Sequence, residues 1–301
     1  LMSLAQTPMQ LTIIRVVQGA LCGTVSAAMT MVATGTPEEN LGASMGLMQM
    51  VQFISGAIGP VLGGLAADAL DYRAVFPVSS VLMAVAVVLL VALVRERFVP
   101  PPKQPGLPRN KGALRVPAVL TRASVSLLLA LATLSFAMAV LSPIISLYIQ
   151  ALNPDEPNLA TLAGAIFSVT AVTSSLAAVV VGRMGDRLGQ KAILLACTVG
   201  VALIHIPQAF ATSAMQLFVL RAIQGVFIGG LMPTTNALLA KSTDPAKRGT
   251  IFGLSTSVQS GGSAVGPVVG AAAANAWGMS SVFLITAGTF GVVAAMVAGL
   301  V

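Results

Sequence analysis

The chain is poor in what a water-facing protein needs most. Of its 301 residues only 8% are Asp, Glu, Lys or Arg, whereas soluble proteins use about a quarter. Sixteen bases and nine acids cannot cover a globule of this size, which argues strongly against a soluble enzyme. Reactive groups are scarce as well. There is one histidine, no ligand cluster at metal spacing, no phosphate-cradling Gly-Lys-Ser/Thr loop and no nucleophile beside a base. No catalytic residue, cofactor or metal is therefore expected, and ATP-driven pumping finds no support. The two cysteines, Cys22 and Cys197, lie in long apolar runs and make no disulfide framework.

Apolar residues make up 56% of the chain and its mean hydropathy is +0.93. A hydrocarbon core about 30 Å thick takes about 20 residues of helix at about 1.5 Å rise. Nine runs of that length occur, near 11–34, 42–66, 74–94, 123–150, 159–181, 190–211, 215–240, 249–273 and 280–301. They are continuous and rich in Ala, Leu, Val and Met, without the alternation of a membrane barrel. The expected fold is an all-α polytopic membrane protein, placed in the cell membrane.

The bases test that topology. Connections 35–41, 95–122, 182–189 and 241–248, with adjoining helix ends, hold thirteen of the sixteen Lys and Arg; the opposite connections hold only Arg73. Such asymmetry assigns the first set to the cytoplasm. It also accounts for a pI near 10.1 without a nucleic-acid partner. Arg15 and Arg221 remain, and both fall inside apolar runs.

Residues 99–118 carry Pro100, Pro101, Pro102, Pro105, Pro108 and Pro117 among Lys, Arg and Gly. Such a segment cannot continue a helix or enter a core, so it reads as a cytoplasmic linker between 1–98 and 119–301. A repeat supports the division. Arg15, Gln18 and Gly19 recur 206 residues later as Arg221, Gln224 and Gly225. Gly42, Gly46, Gly59, Pro60, Gly63 and Phe76 recur 207 residues later as Gly249, Gly253, Gly266, Pro267, Gly270 and Phe283. By that offset the first half shows only its last three helices. The expectation is nine of twelve helices, in an N-terminally truncated chain that cannot transport alone.

At these residues the sequence resembles the major facilitator superfamily, and within it the twelve-span drug:proton antiporters. The segment Gly182-Arg183-Met184-Gly185-Asp186-Arg187-Leu188-Gly189-Gln190-Lys191 is similar to the superfamily's loop signature, with Gln190 where the pattern has a base. The Arg15 and Arg221 groups resemble the arginine signature of the fourth helix. Gly46, Ser55, Gly59-Pro60 and Gly63-Gly64, with Gly253, Gly262, Gly266-Pro267 and Gly270, resemble the antiporter signature of the fifth helix; Ser55 departs from glycine. The resemblance implies two six-helix bundles around a midplane cavity and alternating access. It further implies efflux of small amphipathic molecules in exchange for protons, and a cavity lined by the fourth and seventh runs, which carry Phe136, Met138, Phe227, Met232 and Asn236.

Each group also has a physical reading of its own. Small residues four apart share a helix face and let backbones approach in lipid, and proline bends the axis. An arginine within a membrane faces water, finds a partner or snorkels. Asp186 is suited to accept the spare N–H groups of a helix starting near Leu41–Ser44, which would clamp the cytoplasmic gate in one state. His205 reads first as a packed polar residue. No acidic residue lies deep in any run, so the coupling carboxylate is not in this stretch of sequence. The competing readings are a proton-linked uptake permease for a sugar or organic anion, and a non-transporting scaffold or sensor of the same fold.

Overall fold

The computed structural model describes residues 2–21, 23–70, 72–93, 121–152 and 159–300. Cys22 and the linker at 99–118 lie outside the described residues. Among the described residues ten α-helices follow one another: α1 (Pro8–Leu21), α2 (Thr24–Gly35), α3 (Leu41–Leu70), α4 (Tyr72–Leu93), α5 (Arg122–Leu152), α6 (Leu159–Leu188), α7 (Gln190–Ala209), α8 (Ala214–Lys241), α9 (Arg248–Trp277) and α10 (Met279–Leu300). Among the described residues there is no strand.

Two details differ from the run-by-run expectation. The first apolar run is two helices, α1 and α2, parted around Gly23, a residue that costs a helix interior about 1 kcal/mol relative to Ala. Taken together they still make one of eight helical stretches long and apolar enough to cross a bilayer. The segment expected as a loop at 182–189 is helical up to Leu188. The reversal into α7 is made at Gly189, whose φ of 96° is open to glycine and strained for other residues. Gly278, with φ 84°, does the same between α9 and α10. By the same hydropathy measure α9 is not among the eight, because Ser, Thr, Gln and Gly interrupt its apolar residues.

The chain forms two compact units, residues 1–24 with 58–113 and residues 25–57 with 114–301. In the first, α1 has no buried residue and α4 none over Phe76–Leu93. Exposed Val81, Leu82, Met83, Val88, Leu90 and Val91 make α4 a face fit for lipid rather than water.

In the second unit α5 packs along α9, α6 along α8, and α7 and α10 against each other, with α8 on α7 and α5 on α10. Three apolar clusters result. One centres on Ile144, Ile149, Ile166, Leu217 and Phe283. Another joins Met29 and Ala33 of α2 and Leu41 and Met45 of α3 to Leu127, Leu131 and Phe252. The third holds Leu134, Leu194, Val201, Leu231 and Phe290. The Tyr148 hydroxyl lies 3.2–3.3 Å from the carbonyls of Gln208, Ala209 and Ala211. It thereby supplies a donor where α7 ends and its last carbonyls have no helical partner.

Candidate functional site

At the end of α6 the Asp186 carboxylate faces the first turn of α3. Its Oδ1 accepts from the Gly42 N–H at 2.9 Å and its Oδ2 from the Ala43 N–H at 2.9 Å. Gln190 Nε2 donates to Oδ1 at 2.9 Å, and Lys241 Nζ stands 3.9 Å from the same oxygen. The side chain is 8% exposed, so solvent screens these contacts little. A helix N-terminus offers unpaired N–H donors and partial positive charge, and an anion there is stabilised by both. Gln190 replaces a base of the resembled pattern with a neutral donor, and the positive charge comes instead from Lys241 on α8.

Glycine makes the approach possible. A methyl on Gly42 would overlap Gln190, the Gly182 carbonyl and Asp186, and one on Gly182 would overlap the Gly42 carbonyl. Gly185 is filled from across the turn by Gln190, and Gly46 lies against the Ala178 carbonyl. Arg187 is exposed, and Lys191 Nζ donates to the Ala298 carbonyl at 3.2 Å. At the related start of α9, buried Arg248 donates to the carbonyls of Ala33 and Ala240 and stands 3.9 Å from Glu38.

The glycine ladders are unequal. On α9, Gly262, Gly266 and Gly270 press on α5, where added methyls would meet the carbonyls of Ala132, Phe136 and Val140. Pro267 lies within that helix. Among the described residues, Gly253 and Gly59 face nothing within 4 Å. Ser55 is exposed and donates to its own helix at the Val51 carbonyl, 2.8 Å. The α3 helix runs through Pro60, Gly63 and Gly64, whose packing lies outside the described residues.

The two arginine groups differ more sharply. Arg15 is exposed on α1, its NH1 3.3 Å from Gln18 Oε1, and Gly19 meets nothing within 4 Å among the described residues. Arg221 is 7% exposed, and its Nε and NH2 have no hydrogen-bond partner among the described residues. One turn along α8, Gln224 Oε1 accepts from Gln208 Nε2 at 3.0 Å, and Gln224 Nε2 lies 3.0 Å from His205 Nε2. His205 Nδ1 is 2.6 Å from the Val201 carbonyl, and the imidazole stacks on Phe290 at 5.5 Å between centroids. Gly225 packs against Thr170 and Thr173 of α6. The sequence could not pair His205 with Gln224, since they lie on different helices.

Between α2, α3, α5, α8 and α9 lies a cavity of about 640 Å³. Met138, Met232 and Asn236 line it; Phe136 and Phe227 do not. Phe136 packs into the apolar cluster around Ile144, and Phe227 covers Gly200 beside a lipid-type groove with Leu176 and Cys197. Gln49, Gln52 and Gln259 also line the cavity. Their signal was present in the sequence as amides inside apolar runs. Among the described residues no three His, Cys, Asp or Glu converge as a metal site would require.

The Major Facilitator Superfamily profile matches residues 1–161 and 127–301. The multidrug resistance protein MdtG of Citrobacter koseri is 32% identical over 290 residues, 96% of this chain and 70% of that protein. MdtG of Salmonella typhimurium is 31% identical over 290 residues, 96% and 71% of the two chains. Among solved structures, the human organic anion transporter MFSD10 aligns with a TM-score of 0.75 at 15% identity, over 98% of this chain and 72% of that one. The Escherichia coli fucose:proton symporter FucP aligns with a TM-score of 0.68 at 18% identity, over 91% and 72%. Together with the helical architecture, these matches show that the chain belongs to the major facilitator superfamily, as a multi-pass membrane transporter and not an enzyme.

Proposed function

We propose that the protein exports small amphipathic molecules from the cell in exchange for protons, by alternating access. The observation that carries this reading is the likeness to proteins named for multidrug resistance across 96% of the chain. A cavity of suitable size, lined by adaptable methionines and amides, supports it. Residues 1–98 and 119–301 act as two rocking bodies joined by the linker. The Asp186 contact with Gly42 and Ala43 latches the base-rich side in one state and opens in the other. The close α5–α9 contact at Gly262, Gly266 and Gly270 seals its helix pair against leakage. Arg221 and its neighbours His205, Gln208 and Gln224 keep a polar element inside the second body for coupling rather than for stability.

Everted membrane vesicles from cells expressing the complete reading frame provide the test. With an imposed pH gradient and a fluorescent amphipathic dye, exchange predicts dye uptake that collapses when the gradient is dissipated. Dye uptake unaffected by the gradient, or none above vesicles lacking the protein, overturns the reading.

A further inference from the structure

The groove on α6, α7 and α8 shares no lining residue with the cavity of Met138, Met232 and Asn236. Its origin lies in the glycines of α8. A methyl on Gly229 would overlap the Ser174 carbonyl of α6, and Gly230 sits against both Val181 of α6 and Cys197 of α7. Both neighbours are thus drawn onto α8 and touch each other only lightly. What remains between them is a cleft of about 490 Å³. Its rim is open: Leu176, Val180, Met184 and Val226 are 42–63% exposed. Only Thr173 and Cys197 among its lining residues carry a hydrogen-bonding hydroxyl or thiol, and the Thr173 hydroxyl already donates to the Val169 carbonyl at 2.8 Å. A chain of methylenes suits such walls, and a polar ligand does not.

The length and the charge of the groove name the owner of that chain. From Thr173 to Met184 it follows α6 for about 16 Å at about 1.5 Å per residue, half of a hydrocarbon core about 30 Å thick. It is therefore one leaflet deep and ends on the base-rich side. Three residues past Met184, on the same helix face, stands Arg187, exposed and without an ion pair among the described residues. Arg183, also exposed, adds charge to the same end. Asp186 is turned away, held by the N–H groups of Gly42 and Ala43, so its carboxylate does not neutralise Arg187. A guanidinium fork above an apolar slot one leaflet deep matches a phosphate above an acyl chain.

We propose that this groove holds one acyl chain of an anionic phospholipid from the base-rich leaflet, with the lipid phosphate on Arg187. The site is separate from the export reading and does not depend on it. Native mass spectrometry of the purified full-length protein, titrated in detergent with phosphatidylglycerol or with phosphatidylcholine of the same acyl chains, tests it. The wild type should retain phosphatidylglycerol at least about fivefold more tightly. Arg187→Gln should cut that preference by about fivefold, the factor for one base at an anionic surface, and Arg187→Lys should restore most of it. Ala196→Phe, from the exposed wall on α7, should fill the slot and weaken both lipids by at least about tenfold. Val172→Phe adds a ring to an exposed position of α6 outside the groove and should change neither. Should Ala196→Phe fail to fold, Val180→Trp fills the slot from the opposite wall, and Arg187→Gln alters only an exposed side chain. Equal retention of the two lipids by the wild type, an undiminished preference in Arg187→Gln, or retention by a folded groove-filling variant equal to that of Val172→Phe would overturn the proposal. Dimers in place of lipid adducts, lost on filling the groove, would assign it to a second copy of the chain and overturn it equally.

Discussion

Asp186 and Arg221 are two buried or nearly buried charges with opposite accounts. Asp186 is satisfied three times over by N–H donors, and hydrogen bonds to a charged group are worth about 1.5–3 kcal/mol each. Asp186→Asn keeps the shape but removes the charge, and one of its two terminal atoms can then no longer accept. We expect the latch to loosen by about 2 kcal/mol and transport to fall several-fold. A cysteine placed at Ser44 should meanwhile react faster with a maleimide applied from the base-rich side. Unchanged flux and labelling would show that the contact is ornamental. Among the described residues, two buried N–H-bearing nitrogens of Arg221 have no partner, and an uncompensated buried charge is destabilising. Arg221→Leu should therefore raise the detergent melting temperature while lowering flux, the pattern of a residue kept for activity. Thermal unfolding read by a thiol-reactive dye at buried Cys197, in a Cys22→Ser background, measures the first half of that expectation. A lower melting temperature would place Arg221 among structural residues instead.

Helices, rather than single residues, decide the meaning of the glycines. Added methyls at Gly262, Gly266 and Gly270 would strike α5, whereas at Gly253 and Gly59 they would meet nothing among the described residues. Overpacking costs roughly 1–3 kcal/mol per site. Alanine at Gly262 or Gly270 should accordingly lower the melting temperature by several degrees, whereas alanine at Gly253 or Gly59 should leave it unchanged or raise it slightly. Equal effects at all four positions would mean that the ladder does not report packing. The ladder was visible in the sequence as small residues at four-residue spacing, yet spacing names a face and not the helix it meets. That also explains the aromatic residues. Phe136 and Phe227 sit on helices that flank the cavity, but a uniformly apolar helix gives no amphipathic signal to say which side turns inward. Asp186 was more legible, because a lone carboxylate at the end of one helix suits only a few partners, and a helix start is one. The break between α1 and α2 was hidden by hydropathy, which counts Gly23 as compatible with a span and ignores its helix propensity.

On the scale of the whole molecule, topology hangs on the helix that hydropathy alone does not mark. Among the described residues, eight stretches are long and apolar enough to cross, and α9 is not among them. If α9 failed to span, α10 would enter the membrane from the wrong side. The bases argue that it does span. Lys241, Lys247 and Arg248 cluster where α8 hands over to α9, while the turn at Gly278 between α9 and α10 has none. Its polar residues have a place to go, since Thr256, Gln259, Ser260 and Ser263 line the cavity and its glycines press on α5. A helix polar on one side and closely packed on another needs little hydrophobicity to stay in the bilayer. Reporter fusions decide the matter. A fluorescent protein joined behind residue 105 or behind Lys247 should fold and fluoresce, marking the inside, whereas alkaline phosphatase joined behind Ser213 or Gly278 should be active, marking the outside. Phosphatase activity behind Lys247, or fluorescence behind Gly278, would remove α9 from the membrane. The cavity would then lose one wall, and the exchange mechanism would fall with it.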